Sequence, residues 1–242
     1  MKCRICGIGE TEQFSLKQRI YLECRDCGSI CLSADCLETP ENQKIRYEKH
    51  HNSLEDDGYR KFLESFIFPV LQEITCDSCK GGALPVRKIL DYGSGPEPAL
   101  CRLLELYSRE NRFIDTSTEI RGWDPFFAPD TEFFKEGADL VTCLEVAEHF
   151  ETPLTDMKKL AGTCAPNGYV AIGTMLIPEN SEEMQYGHEK NDRKAFSSWW
   201  YRGDSTHVAF YSLEGLKRCA ESAGLTYVKS VTDRAFLFRK KV

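Results

Sequence analysis

Leu90-Asp91-Tyr92-Gly93-Ser94-Gly95-Pro96-Glu97-Pro98 is the stretch on which the fold turns. An apolar run from Val86 to Tyr92 reads as a buried strand. The two glycines after it let a turn approach a ligand with no Cβ in the way. Leu100, Leu103, Leu104 and Tyr107 then recur at helical spacing, so a helix with free amides at its start follows the turn. The alternation continues downstream. Glu119–Asp124 and Ala138–Val146 read as strands, and Leu154, Met157, Ala161 and Cys164 as a helix face closed by Pro166-Asn167-Gly168. Tyr169–Met175 is a further strand. Ser212 caps a helix carrying Leu213, Leu216, Ala220 and Ala223, with Gly224 as its stop, and Leu225–Val231 and Ala235–Arg239 are closing strands. Alternating strand and helix predicts an α/β, doubly wound, mostly parallel sheet that takes its ligand at the strands' carboxyl ends. Asp124 ends the second strand, where a carboxylate can accept both hydroxyls of a ribose. It follows Asp91 by 33 residues, longer than the dinucleotide fingerprint's spacing of about 20, and the third glycine is absent, which disfavours a nicotinamide cofactor.

Upstream of this domain the cysteines carry the information. Cys3-x2-Cys6 and Cys24-x2-Cys27 match the spacing of a four-thiolate zinc site, with Gly7 and Gly28 turning each knuckle. Four thiolates close the coordination shell, so the metal is expected to be structural, its loss unfolding residues 1–38 while sparing the main sheet. Arg19–Glu23 and Ser29–Leu32 read as short strands beside the second knuckle. Cys101, Cys143, Cys164 and Cys219 fall in apolar stretches and read as core residues. Cys76-x2-Cys79 reads as two linker thiols, with a redox pair or a second metal shared with Cys31 and Cys36 as the alternative. A polar connector follows the ribbon. Beyond it Tyr59, Phe62, Leu63, Phe66, Ile67, Val70, Leu71 and Ile74 mark an amphipathic helix, with Ser53 and Asp56 at its start and a kink expected at Pro69. The domain reading is 1–38 zinc ribbon, 39–85 helical connector, 86–242 main domain.

The 242 residues are 41% hydrophobic and 29% charged, enough apolar material for a real core and too ordinary for disorder. No run approaches the ~18 apolar residues of a membrane span, and the N-terminus lacks a signal-like apolar region, so a cytoplasmic protein is expected. The net charge is −7. Residues 1–50 hold eight Lys/Arg against eight Asp/Glu, where nucleic-acid binding would need excess cations.

Several segments in order resemble the class I S-adenosylmethionine-dependent methyltransferases, over roughly residues 86–240. Ile89–Gly95 resembles the family's first motif, Gly122-Trp123-Asp124-Pro125 its acidic ribose-binding loop, Ala138–Phe150 its fourth-strand segment, and Ala165–Tyr169 the turn before strand five. Glu97 stands where the family usually has a third glycine. Tyr47–Ser53, Gly58-Tyr59 and Trp200–Val208 resemble a bacterial subgroup with a zinc-binding leader. The resemblance implies a seven-stranded, Rossmann-like sheet and S-adenosylmethionine as cofactor. It implies that Gly93 and Gly95 pack against the cofactor, Asp91 holds its ammonium, Asp124 grips the ribose, Pro125 and Phe126 flank adenine, and Leu144 or Glu145 lines the methionine or adenosine. His50 and Tyr59 of the lead-in are further cofactor-side candidates. An acceptor with an acidic proton needs a base, for which histidine is the natural choice. His149, just after strand four, leads, ahead of His207 and His50, with Glu145 or Glu148 expected to orient it and raise its pKa. Phe126, Phe127, Phe133 and Phe134 read as core and pocket wall. The expected acceptor is a small molecule. An RNA-modifying enzyme that grips RNA with the zinc module, and a non-catalytic cofactor-binding protein, are the alternatives.

Overall fold

The computed structural model describes residues 1–48, 52–79, 86–110, 113–131, 135, 137–178 and 192–242. His50, the Gly81–Pro85 linker, Phe133 and Phe134 therefore lie outside the described residues, as does the side chain of Cys79. No helix among the described residues is long and apolar enough to cross a membrane.

The chain opens with three antiparallel strands, β1 (Thr11–Leu16), β2 (Arg19–Cys24) and β3 (Ile30–Leu32). β1 was not legible as a strand: it is exposed or half-exposed along its length and has no apolar alternation. Two helices follow. α1 (Pro40–Tyr47) arises in what reads as polar connector, because Thr39 caps it and Pro40 starts it without losing a hydrogen bond. α2 (Asp57–Cys79) runs on through Pro69, and its cap is Asp56 rather than Ser53, Asp56 Oδ1 accepting the amides of Gly58 and Tyr59 at 2.7 and 3.0 Å.

Next come β4 (Lys88–Tyr92), α3 (Ala99–Arg109), β5 (Glu119–Trp123), β6 (Ala138–Leu144), α4 (Pro153–Gly162) and β7 (Cys164–Gly173). Cys164, expected on the helix face, opens β7 instead, and Pro166-Asn167-Gly168 forms an irregularity inside that strand, with Asn167 at φ +63°. α5 (Asp192–Ser198), β8 (Ala209–Phe210), α6 (Leu213–Ser222), β9 (Leu225–Ser230) and β10 (Ala235–Lys240) complete the chain. Ser212 caps α6 by accepting the Gly215 amide at 2.9 Å.

The central sheet has the order β5-β4-β6-β7-β10-β9. The first four strands are parallel, and β10 pairs antiparallel with both β7 and β9. It has six strands among the described residues where seven were expected. The four inner strands are buried on both sides, and their period of two assigns the faces. Ile89, Leu140, Tyr169, Ala171 and Leu237 pack against α2 and α3; Leu90, Val141, Val170, Ile172 and Phe236 pack against α4 and α6. Because β4 lies between β5 and β6, its carboxyl end is the topological switch point.

The N-terminal sheet is tied to the rest. β8 adds to β3 as a fourth strand, and the four knuckle cysteines share one buried cluster with Leu216 of α6 and with the central sheet. Ser212 donates its amide to Ser29 Oγ at 3.1 Å and its hydroxyl to the Cys27 carbonyl. Tyr21, Ile30 and Leu32 form a further cluster with Phe196, Trp199, Tyr201 and Phe210.

Candidate functional site

The switch point opens into a cavity of about 700 Å³, the size of a small-molecule site. Its floor is the turn after β4. Gly93 (φ +84°) and Gly95 (φ +70°) both take left-handed backbone that a side chain resists. A Cβ on Gly93 would lie 2.4 Å from Val146, whereas one on Gly95 would meet nothing within 4 Å, so the second glycine leaves open space above the turn. The amides of Gly93 and Ser94 donate to the Trp123 carbonyl at 2.7 and 3.0 Å. Asp124 binds the β4 and β5 loops together. Its Oδ2 accepts the Gly95 amide (3.1 Å), and its Oδ1 accepts those of Phe126 (2.8 Å) and Phe127 (3.2 Å). Asp91 is buried beneath, accepting the Thr142 hydroxyl at 2.9 Å. Burial pushes its carboxyl up to about 7, with the charge of Asp124 adding to the rise.

Every described cofactor-side candidate meets here: Tyr59, Asp91, Gly93, Gly95, Asp124, Pro125, Phe126, Leu144 and Glu145 all line the cavity. His149 and His207 line it too, while Phe127 and Glu97 do not. Sequence reading missed Tyr47, whose ring packs on Phe126 (5.8 Å) and on His149 (5.3 Å), and Asn52 and Asp204, which also line the space. Their segments stood out in the sequence, but contacts between segments as far apart as Tyr47 is from Phe126 and His149 leave no local signal.

Glu148 and His149 lie in a short 3-10 turn (Ala147–His149) after β6, and residues 204–208 close over them. His149 donates from Nδ1 to the Thr206 carbonyl (2.9 Å) and His207 from Nδ1 to the Tyr201 carbonyl (2.7 Å). A carbonyl can only accept, so each neutral ring keeps its lone pair on Nε2. The Glu145 and Glu148 carboxyls were expected to orient His149 and raise its pKa. The Thr206 carbonyl orients it instead, and burial lowers its pKa, as it lowers that of His207 to about 4 with help from His149. Both rings are neutral at pH 7. Asp204 holds the covering loop. Burial would raise its carboxyl, but two hydrogen bonds from Arg46 (2.7 and 3.2 Å) and those of Thr206 drive it well below the usual range. Glu145 (φ +53°) and Glu148 are both raised, by burial first. One oxygen on each, Oε1, has no hydrogen-bond partner.

The second constellation is the cysteine cluster. The Sγ atoms of Cys3, Cys6, Cys24 and Cys27 lie within 4.8 Å of one another, Cys3–Cys27 at 3.9 Å and Cys6–Cys24 at 3.7 Å. A tetrahedral ion with 2.3 Å bonds to sulfur sets such separations at about 3.8 Å. The amides of Ile5, Cys6, Gly9 and Cys27 donate to these sulfurs at 3.3–3.5 Å, as thiolate ligands require. The donor set fits zinc. Cys76 is exposed, while Cys31, Cys101, Cys143, Cys164 and Cys219 are buried.

Solved structures with a similar fold include a chain from the complex between the Haloferax volcanii Trm112 methyltransferase activator and a methyltransferase (14% identity, 73% of this chain and 77% of that one, TM-score 0.46). They also include the YcgJ protein of Bacillus subtilis (15%, 65% and 69%, 0.40) and CalO1, a methyltransferase of calicheamicin biosynthesis solved with SAH bound (12%, 72% and 54%, 0.41). None of the curated proteins matches the chain. The family described as "Methyltransferase domain" matches residues 59–230, from the cavity-lining Tyr59 of α2 to the last residue of β9. Over that span the chain belongs to the methyltransferase domain family.

Proposed function

We propose that this chain is an S-adenosylmethionine-dependent methyltransferase of a small molecule, with one structural zinc in its N-terminal ribbon. The observation that carries the reading is the convergence of Asp91, the open turn at Gly95, Asp124, His149 and His207 on a single cavity. Bound there, S-adenosylmethionine supplies a sulfonium-activated methyl group. The protein's part is alignment and exclusion of water. Asp91 at the bottom offers a buried carboxyl to the ammonium. Asp124 already holds three amides, so it fixes the loop that carries Pro125 and Phe126 and offers its one remaining lone pair, on Oδ2, to a ribose hydroxyl. Leu144, Glu145 and Tyr59 wall the same side, and His50 of the lead-in belongs with them in this reading.

His149 and His207 stand at the acceptor end as neutral rings able to hold an acceptor through Nε2. In this reading the 39–85 connector is a lid over the cofactor, and the 1–38 ribbon is held to the 86–242 domain through β3 and β8. Among the described lining residues Lys159 is the one cation, and it is paired with Asp156 at 2.9 Å, whereas Asp91, Asp124, Glu145, Glu151 and Asp204 are all acidic. Such a lining suits a small acceptor without a phosphate backbone. Thiolate ligands and the absence of any disulfide among the described cysteines suit a reducing compartment, in keeping with a cytoplasmic protein.

Calorimetry tests the cofactor half. Asp124→Ala should weaken S-adenosylmethionine by ~10-fold or more, since charge-assisted contacts are lost. Unchanged affinity would place the ribose elsewhere. His149→Ala should lower turnover ~10²-fold or more with cofactor affinity nearly unchanged, measured once a product is identified by mass spectrometry against cell extracts.

A further inference from the structure

Glu148, His149 and His207 form a second ligand-like cluster, separate from the cysteines. One carboxylate oxygen of Glu148 and one ring nitrogen of each histidine lie within 4.8 Å of one another. Glu148 is 0% exposed; its Oε2 accepts the Thr174 hydroxyl at 2.9 Å, and its Oε1 has no partner. A buried carboxylate with few donors is costly: besides the Thr174 hydroxyl only that of Tyr201 faces this carboxyl among the described residues, and neither histidine adds to it, because both N–H groups are spent on main-chain carbonyls. The two rings meet edge to face, with centroids 4.9 Å apart. Their tautomers are therefore fixed with Nε2 unprotonated, which is the outer-shell arrangement that prepares imidazoles for metal. The frame around them is braced. The Val208 amide donates to the Glu148 carbonyl at 2.8 Å, and Arg46 pins Asp204 on the same covering loop.

We propose that Glu148, His149 and His207 bind a divalent first-row transition metal ion at the acceptor end of the cavity. Two imidazoles and one carboxylate are a nitrogen- and oxygen-rich set suited to Mn²⁺, Fe²⁺, Co²⁺ or Zn²⁺ and leave coordination positions open. Ligand atoms about 3 to 3.5 Å apart are needed around an ion with bonds near 2.1 Å, so a cluster whose atoms lie within 4.8 Å of one another needs at most a small contraction on loading. Glu145, whose Oε1 is also buried and unpartnered, brings a second carboxyl to the neighbourhood of Glu148 and balances the ion's charge. An ion here polarises an acceptor oxygen bound to an open position, and His149 and His207 then act as its ligands. That consequence rests on the methyl-transfer reading, whereas the binding site itself does not.

The test uses the whole chain with its ribbon zinc in place, titrated with Mn²⁺ and followed by electron paramagnetic resonance. Thiolates select softer ions, so the cysteine cluster does not compete for this probe. One Mn²⁺ per chain is expected, weakened ~10-fold or more in His207→Ala and in Glu148→Gln while each variant keeps S-adenosylmethionine affinity and one zinc. Pulsed measurements on the unsubstituted chain should show two directly bound imidazole nitrogens, which needs no variant to fold. A purified chain carrying two zinc ions, the second lost in His207→Ala, supports the site equally. A chain that binds S-adenosylmethionine but neither Mn²⁺ nor a second zinc overturns the proposal, as does Mn²⁺ without nitrogen coupling. Loss of S-adenosylmethionine binding in the unsubstituted chain would count against the function proposed above and leave the metal measurement to decide this site.

Discussion

Asp91 is 5% exposed at the end of β4, with one hydroxyl donor to offset its burial. Its carboxyl titrates near 7 instead of at the ordinary 3.8, so between those values the folded chain holds a proton that the unfolded chain has lost. Stability from this group is therefore fully present below about pH 4 and falls as pH rises toward 7. A bound ammonium favours the charged form, so S-adenosylmethionine affinity should climb as pH rises to about 7 and level off above it. Asp91→Asn should abolish that climb, weaken the cofactor ~10-fold or more at pH 8, and raise the ligand-free melting temperature at pH 8. The gain in melting temperature should shrink toward pH 5. Calorimetric titrations at pH 5.5 and 8, with melting curves of both proteins, check it; an affinity that is flat with pH in the unsubstituted chain would mean that the ammonium is held elsewhere.

At the scale of elements, the ribbon and the covering loop act as one piece. β3 pairs with β8, the Leu32 amide donates to the Val208 carbonyl at 2.8 Å, and the Val208 amide donates to the Glu148 carbonyl. The residue after His207 thus bridges the ribbon to the turn that carries His149. Read alone, residues 1–38 are a unit whose loss spares the main sheet. The shared buried cluster of cysteines, Leu216 and the central strands changes that expectation. Removing zinc with a chelator, or Cys24→Ser, should lower the melting temperature of the whole chain in a single transition and loosen the acceptor end. Amide exchange would decide: 1–38 opening while residues 204–208 stay protected would show the ribbon to be independent. α2 is coupled to the site as well, since Leu63, Phe66 and Ile67 fill the core while Tyr59, Phe62 and Leu63 of its first two turns line the cavity.

For the molecule as a whole, charge decides between partners. Net charge −7, a ribbon segment of balanced charge and an acidic cavity all oppose a polyanion. RNA binding should be weak at physiological salt and should not be strengthened by zinc; filter binding across a salt series checks this, and tight, steeply salt-dependent binding would favour the RNA-modifying alternative.

The sequence alone determined the central sheet's strands, the cysteine set and the glycine turn, because each is written within a few residues: apolar runs, paired C-x2-C knuckles, Asp91 with Gly93 and Gly95, and Asp124 just after its own strand. It did not delimit β1 or α1, which have no apolar pattern of their own and exist by pairing with β2 and by the Thr39 cap. Only the tertiary structure decided that the sheet stops at six described strands, that β8 crosses to the ribbon, and that His207 stands beside His149 with Glu148 buried between loops. These are contacts between segments 50 or more residues apart. They depend on how the chain closes over its own core, where burial rather than neighbouring charge sets the state of each group.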